Sequence, residues 1–510
     1  MRTARGWTEQ RTKPALDSRF TPNSEVVRTV EPVRFASHRA FAVGLPGRYR
    51  AAFVTAALLI AVTGSLHAQG PRVVSTAAGT GVVGYTGDNG TATSATLAAP
   101  SAVAYDASGN IYLADTQNHV VREISKATGT ITTVAGTGAE GFAGDNGAAT
   151  SAQLDTPTGI AVDKNGNLYI ADSHNNRIRK VSGGSITTVA GTGAAGFGGD
   201  NAAAAAATLS LPSAVAVDSG GNLYIADTNN QRIRKVTGTT ITTIAGNGEE
   251  FYAGDGGAAT AASLDSPTGV AVDASGNVYI ADRHNQRVRV VTGGSISTLA
   301  GSGAVTFAGG FSGDGASGTA ATLAKPSGVS IDASGKVYIA DTNNQRVRQV
   351  ASGTIATVAG TGDQGFGGDG GPAAGAILNA PKAVAPDASG NFAIADKLNE
   401  RIRAVSPATI VLVTTPTIIQ LSDGSYQVTL TVANHGTITA PNVVLTSDKL
   451  GPASGTPVPQ TLNDIPAGGS AVSTISFPAT AGPPGTSVLE QALGTYTGGT
   501  FGGSLRITLP

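Results

Sequence analysis

Apolar and polar positions along this chain fall into one pattern that is written six times. In its clearest copy four short apolar runs follow one another: Gly159–Val162, Asn167–Ala171, Arg177–Val181 and Ile186–Ala190. Val, Ile and Tyr dominate them, and Asp-x-x-Gly-Asn, Asp-x-x-Asn-x-Arg or Gly-Gly stretches separate them, so they predict four β-strands joined by tight turns. The second run is nearly all apolar, which predicts a strand covered on both faces. A proline opens each copy, at Pro100, Pro157, Pro212, Pro267, Pro326 and Pro381, giving spacings of 57, 55, 55, 59 and 55 residues. A fixed period of this length marks a stacked or ring-shaped array.

Four antiparallel strands repeated about an axis make the blades of a β-propeller. First, second and third strands occur six times, but only five fourth strands lie between them: Thr130–Gly136, Ser185–Gly191, Thr240–Gly246, Ser295–Gly301 and Thr354–Gly360. The missing one stands ahead of the first proline, at Val73–Gly79. An N-terminal strand that completes the last blade leaves the ring without an open end and removes a vulnerable edge. The expectation is therefore an all-β chain with a closed six-bladed propeller over residues 71–405.

The repeat resembles the NHL repeat, in the long form found in secreted bacterial proteins and in the propeller of the teneurins. Asn167-Leu168-Tyr169-Ile170-Ala171-Asp172 with Asn175, Arg177 and Val181 carries the resemblance, extended by Gly196-Phe197 and Gly199-Asp200 and, in the last copy, by 367–373. It implies the propeller fold. It does not imply one function, since such propellers include protein binders, RNA binders and lyases.

Between each fourth strand and the next proline lies an insertion of strict spacing. An aromatic precedes an aspartate by three residues in every copy: Tyr85/Asp88, Phe142/Asp145, Phe197/Asp200, Tyr252/Asp255, Phe311/Asp314 and Phe366/Asp369. Nine residues after each aspartate comes a leucine, from Leu97 to Leu378. The Ala-rich stretch between, with Pro372 as a first helical residue, predicts a helical turn capped by the aspartate. Aromatic and leucine are expected to plug the gap between blades. A ring of aspartates binding a cation is the weaker reading, because Gly-Asp-Gly-Gly lacks the further carboxylates of a calcium loop.

Strand parity puts the insertions and the second-to-third turns on one face of the ring. Those turns hold Asp115, Asp172, Asp227, Asp282, Asp341 and Asp396, followed in five copies by Arg177, Arg232, Arg287, Arg346 or Arg401; Val120 replaces the arginine in the first. Residues repeated this way hold each blade together, whereas an active site must break the symmetry. Each aspartate is expected to shape its turn and pair with that arginine, a hydrogen bond worth about 1 kcal/mol. The departures from symmetry are the informative residues. His174 and His284 occupy the same place in alternate copies, with His119 two residues out of register. Lyases that resemble this repeat use histidines on such a face, some around a metal, but here the three come from different blades with no glutamate partner pattern. The insertion before the fourth copy adds Glu249, Glu250 and Phe251, and the next is four residues longer, with Phe307. Together these predict a raised acidic and aromatic recognition patch.

From Ser406 the pattern changes. Tyr426–Val432 alternates cleanly, and further strands are predicted at Asn442–Thr446, Ala471–Phe477, Leu489–Thr497 and Ser504–Leu509. Residues 408–510 read as an immunoglobulin-like sandwich. Val432–Gly436 with Ile465–Gly468 resembles the bacterial cell-adhesion-type (CARDB-like) modules, which implies a spacer or docking role.

Composition narrows the function. Residues 1–50 hold ten basic and four acidic residues, so the remainder holds 23 basic and 30 acidic. That balance argues against a nucleic-acid partner. With no cysteine in the chain, disulfides, thiolate metal sites and thiol nucleophiles are excluded. The Arg-rich leader, the apolar run Ala51–Leu66 and the small residue Ala68 predict a signal peptide within residues 1–69 and no membrane span after its removal, the alternative being an uncleaved anchor. The sequence thus points to a secreted, periplasmic or cell-surface protein that binds a protein or glycan, with no cofactor or metal. The alternative is a propeller lyase, of streptogramin-lyase-like or amidating-lyase-like type, using His174 and His284 on a small molecule.

Overall fold

The computed structural model describes residues 72–303 and 310–510. The predicted signal segment, and Phe307 with it, lie outside these. Among the described residues there is no α-helix, only strands and single 3-10 turns, and no helix is long and apolar enough to cross a membrane.

Residues 72–407 form six antiparallel sheets, each built on the pattern read above. In the second sheet the strands are Pro157–Val162, Leu168–Asp172, Arg177–Ser182 and Ser185–Ala190. The others begin with the first strands Ala102–Tyr105, Pro212–Val217, Pro267–Val272, Gly328–Ile331 and Pro381–Pro386. These are the repeated sheets of a β-propeller. In the sixth sheet the outer strand is Arg72–Ala78, which pairs antiparallel with Arg401–Pro407, so Val74 faces Val405 across more than 300 residues of chain.

The core lies between sheets. One apolar cluster joins Tyr169 and Ile178 of the second sheet to Val215 and Ile225 of the third. Another joins Ala393 and Ile402 of the sixth sheet to Val103 and Leu113 of the first. The first strands pack side by side in chain order, and Pro381–Pro386 packs against Ala102–Tyr105. Each insertion contributes its leucine to these clusters: Leu97, Leu154, Leu209, Leu264, Leu323 and Leu378 are all buried. The aromatics are not. Tyr85, Phe142, Phe197, Tyr252, Phe311 and Phe366 stay exposed, so the expectation that they plug the gap is corrected; the leucine packs there with the strand side chains instead. The helical turn is also shorter than expected. Ala373–Gly375 is a single 3-10 turn with Pro372 just before it and no side-chain cap, because Asp369 is engaged elsewhere.

Beyond residue 407 two antiparallel sheets enclose a separate core. One is Leu412–Gln420, Tyr426–Asn434 and Ser470–Phe477; the other centres on Ala440–Leu450, Ser487–Tyr496 and Gly499–Thr508. Tyr426, Val428 and Leu430 meet Val443, Leu445 and Phe501 between them.

The sixth sheet owes its outer edge to a strand from the far end of the repeat region. Deleting residues 72–80 is expected to expose Arg401–Pro407 as an open edge, lower the midpoint of thermal unfolding and promote aggregation. An unchanged melt in scanning calorimetry would show that the sixth sheet does not rely on this strand.

Candidate functional site

The face that carries the insertions is organised by a second arginine, two residues beyond the one the sequence singles out. Arg122, Arg179, Arg234, Arg289, Arg348 and Arg403 are fully buried. In the second sheet Arg179 Nε and Nη2 donate to Asp145 Oδ1 at 3.0 and 2.6 Å, and Nη1 donates to Asp172 Oδ2 at 3.1 Å. Asp172 is itself buried; its Oδ1 accepts from the Asp155 backbone N–H at 2.7 Å and its Oδ2 from Asn175 Nδ2 at 2.9 Å. The other amide hydrogen of Asn175 goes to the Gly141 carbonyl at 2.7 Å. One guanidinium and one carboxylate thus tie together the insertion, the turn and the third strand. Burial pushes the equivalent carboxyls of Asp115, Asp282 and Asp341 up to about 6, against the pull of these donors and the arginine.

This corrects the expected pairing of Asp172 with Arg177, and of the insertion aspartate with a helical turn. Arg177 instead stacks 3.7 Å above the Phe142 ring and donates to the carbonyls of Asn175 and Thr192. Arg232, Arg287, Arg346 and Arg401 stack in the same way on Phe197, Tyr252, Phe311 and Phe366. Gly193, at φ +93°, is needed there, since a Cβ would sit 2.1 Å from the Arg177 guanidinium. A signal for the buried arginine was available. It occurs in all six copies, whereas its half-buried neighbour becomes Val120 in the first.

A third repeated device joins one sheet to the next. His119, Asn176, Gln231, Gln286, Gln345 and Glu400 all adopt the left-handed conformation at the end of the turn. Each accepts a hydrogen bond from a backbone N–H of the following sheet, for example Asn176 Oδ1 from Leu211 at 2.9 Å and Gln231 Oε1 from Ser266 at 2.7 Å. Glu400 Oε2 does so for Ala99, which joins the sixth sheet to the first. His119 Nδ1 plays this part for Thr156 at 3.2 Å. Its register offset is explained by that role.

The structure brings His119 and His174 together on one aspartate and leaves His284 on another. His174 Nδ1 lies 3.3 Å from Asp155 Oδ1, with His119 Nδ1 at 3.7 Å from the same atom. His284 Nδ1 lies 3.1 Å from Asp265 Oδ1, and its Nε2 3.1 Å from Arg283 Nη1. Among the described residues no group of three His, Cys, Asp or Glu side chains is placed to hold a metal ion. Of the predicted patch, Glu249, Glu250 and Phe251 sit on the loop-bearing face; Phe251 is half exposed and Glu250 Oε1 accepts from Gln231 Nε2 at 3.0 Å. Inside the ring of first strands runs a cavity of about 330 Å³ to which all six sheets contribute, from Ser101 and Lys382 to Tyr105 and Pro386.

Four stretches of the chain, 154–181, 209–236, 264–291 and 323–350, match the NHL repeat family model, so the chain carries NHL repeats. It is 31% identical over 277 residues to teneurin-4 of Mus musculus, covering 47% of this chain and 10% of the teneurin. It is 28% identical over 269 residues to the chloroplastic protein SUPPRESSOR OF QUENCHING 1 of Arabidopsis thaliana, covering 49% of this chain and 25% of that protein. The chain thus spans a quarter or less of the length of either relative. A solved protein of unknown function from Bacteroides thetaiotaomicron shares the fold, with a TM-score of 0.50 and 20% identity over 66% of this chain and 76% of its own.

The two arginines of the motif carry different loads. Asp172→Ala removes one of the two carboxylates on Arg179 and leaves the Asp155 N–H without its acceptor, and is expected to cost about 3 kcal/mol, well above the turn hydrogen bond expected from sequence. Arg177→Ala loses one half-buried stacking contact and two hydrogen bonds to loop carbonyls and is expected to cost about 1 kcal/mol. Urea unfolding of the two variants checks this; equal costs would contradict the assignment.

Proposed function

We propose that the six sheets are the blades of a closed six-bladed propeller, that residues 408–510 are an immunoglobulin-like module, and that the chain is an exported binding protein. Its loop-bearing face recognises a protein or glycan outside the cell. The observation that carries this reading is the set of exposed aromatics on that face, five of them stacked flat on an arginine. Phe142 remains 41% exposed and Phe197 46% exposed although each ring lies under a guanidinium. Rings fixed in this way lose little further freedom when a partner covers them, which favours recognition. The arginines are anchored in turn to loop carbonyls, so the surface is set before a partner arrives.

Beside this regular ring, Glu249 and Phe251 depart from the repeat in kind, standing with Glu250 where the second copy has Ala139, Glu140 and Gly141. The Phe251 carbonyl accepts from Asn285 Nδ2 at 3.0 Å, while the residue remains 50% exposed. An exposed aromatic flanked by charges, with no part in blade packing, fits an anchor for a partner.

Replacing Glu249, Glu250, Phe251 and Phe307 together by Ala or Ser is expected to leave the unfolding midpoint in place. Capture of the partner recovered by cross-linking from the cell-surface fraction should weaken tenfold or more, about 1.4 kcal/mol. Normal capture by this variant, with loss instead on changing the Asp163–Asn167 type of turn at the opposite end, would place recognition on the other face.

A further inference from the structure

Six equivalent positions ring the loop-bearing mouth of the central cavity: Ser101, Thr158, Ser213, Thr268, Ser327 and Lys382. The five hydroxyls are committed to the joints. Ser101 Oγ donates to Thr158 O at 3.1 Å, Thr158 Oγ1 to Ser213 O at 3.0 Å, Ser213 Oγ to Thr268 O at 3.1 Å, Thr268 Oγ1 to Ser327 O at 3.0 Å and Ser327 Oγ to Lys382 O at 2.8 Å. Lys382 has no hydroxyl with which to continue to the first sheet. The position after each buried turn aspartate shows the same departure: Thr116, Ser173, Thr228, Arg283, Thr342 and Lys397. Four of these hydroxyls meet the hydroxyl of their own first strand. The other two positions are cations.

All three exceptions exchange a neutral hydroxyl for a positive charge: Lys382 lines the cavity, and Arg283 and Lys397 lie close enough to act on its ammonium. Among the described residues no carboxylate forms an ion pair with Lys382, Arg283 or Lys397, although each of the six buried arginines has two. Lys382 Nζ makes no hydrogen bond to a described residue. Arg283 rests one nitrogen on His284, and its buried Nε has no partner. Glu400, the acidic group nearest Lys397, is held by the Ala99 N–H. Burial, with Arg283 and Lys397 close by, pushes the Lys382 ammonium down to about 7. Gathering unpaired cations in a confined site is costly unless an anion joins them. Below this ring the wall turns small and apolar, at Ala102, Gly159, Ala214, Gly269, Gly328 and Ala383.

We propose that this mouth binds a small organic anion, its charged head on Lys382 between Arg283 and Lys397 and its apolar body in the cavity below. The volume of about 330 Å³ suits a compact ligand. The inference stands apart from partner docking at the Glu249–Phe251 loop, and the two fail separately.

Isothermal titration of the full chain with hexanoate, and with hexanol as its neutral counterpart, tests the proposal. Hexanoate should bind once per chain and hexanol at least tenfold more weakly. Lys382→Ser restores the hydroxyl of the other five sheets, so it should fold with an unchanged or raised unfolding midpoint. It should bind hexanoate at least tenfold more weakly while keeping normal capture of the rim partner. Arg283→Thr should act in the same direction. Only the protonated lysine attracts the carboxylate, so hexanoate affinity should fall as pH rises past about 7. Equal binding of hexanol, undiminished binding to Lys382→Ser, or no binding of hexanoate at millimolar concentration would each overturn the proposal.

Discussion

A guanidinium buried in a β-sheet protein is tolerable only when its hydrogen bonds are met by fixed acceptors and its charge by a carboxylate. Six times in this chain the same three segments meet the charge with two carboxylates, although the Nε of Arg289, Arg348 and Arg403 finds no acceptor among the described residues. The insertion supplies one aspartate, the turn supplies the other, and loop carbonyls take the remaining hydrogens, as Gln153 O and Ala143 O do for Arg179 at 3.4 Å. The insertions are Gly- and Ala-rich and have little regular structure of their own. Their shape is imposed by the demand of the buried charge. The exposed aromatics, the stacked outer arginines and the left-handed turn residues all inherit their positions from it.

The joints between sheets follow a related logic. A cluster of Ala, Val, Ile and Leu gives each joint its cohesion but little direction. Direction comes from the side-chain acceptor that reaches the next sheet and from the hydroxyl ladder around the cavity. Where the ladder is complete, the mouth is neutral. Where it is interrupted, Lys382 brings a charge to the cavity wall, with Lys397 and Arg283 close by. Symmetry thus separates the residues that build the protein from those free to take up a ligand.

Much of this was legible in the sequence, and the rest was hidden for identifiable reasons. Strands, period and the borrowed outer strand at residues 72–78 follow from alternation and counting, because burial on a pleated sheet has a period of two. Leu154 was readable as a plug, but Phe142 was misjudged: an aromatic at fixed spacing looks buried until the arginine it stacks on is placed. Asp172 was assigned to Arg177 by proximity in sequence. In fact residues five apart across the turn, Asp172 and Arg177, face each other as backbone partners, while the side chain two further along reaches both aspartates. The strand Leu412–Gln420 was missed because Pro416 interrupts it, which an edge strand accepts. The roles of Asn176 and its equivalents were hidden by their changing identity; what is repeated is an acceptor atom, supplied by His, Asn, Gln or Glu.

The central claim is that the buried arginine and its two aspartates act as one unit that fixes the loop-bearing face. A double-mutant cycle in the third sheet, with Asp227→Asn, Arg234→Met and both together, tests it most directly by urea unfolding. If the groups act as a unit, either change alone removes most of the stabilisation, and the second adds little. The coupling is then expected to be about 2–3 kcal/mol. Costs that simply add would contradict the account, leaving each side chain an independent contributor and the shape of the face unexplained.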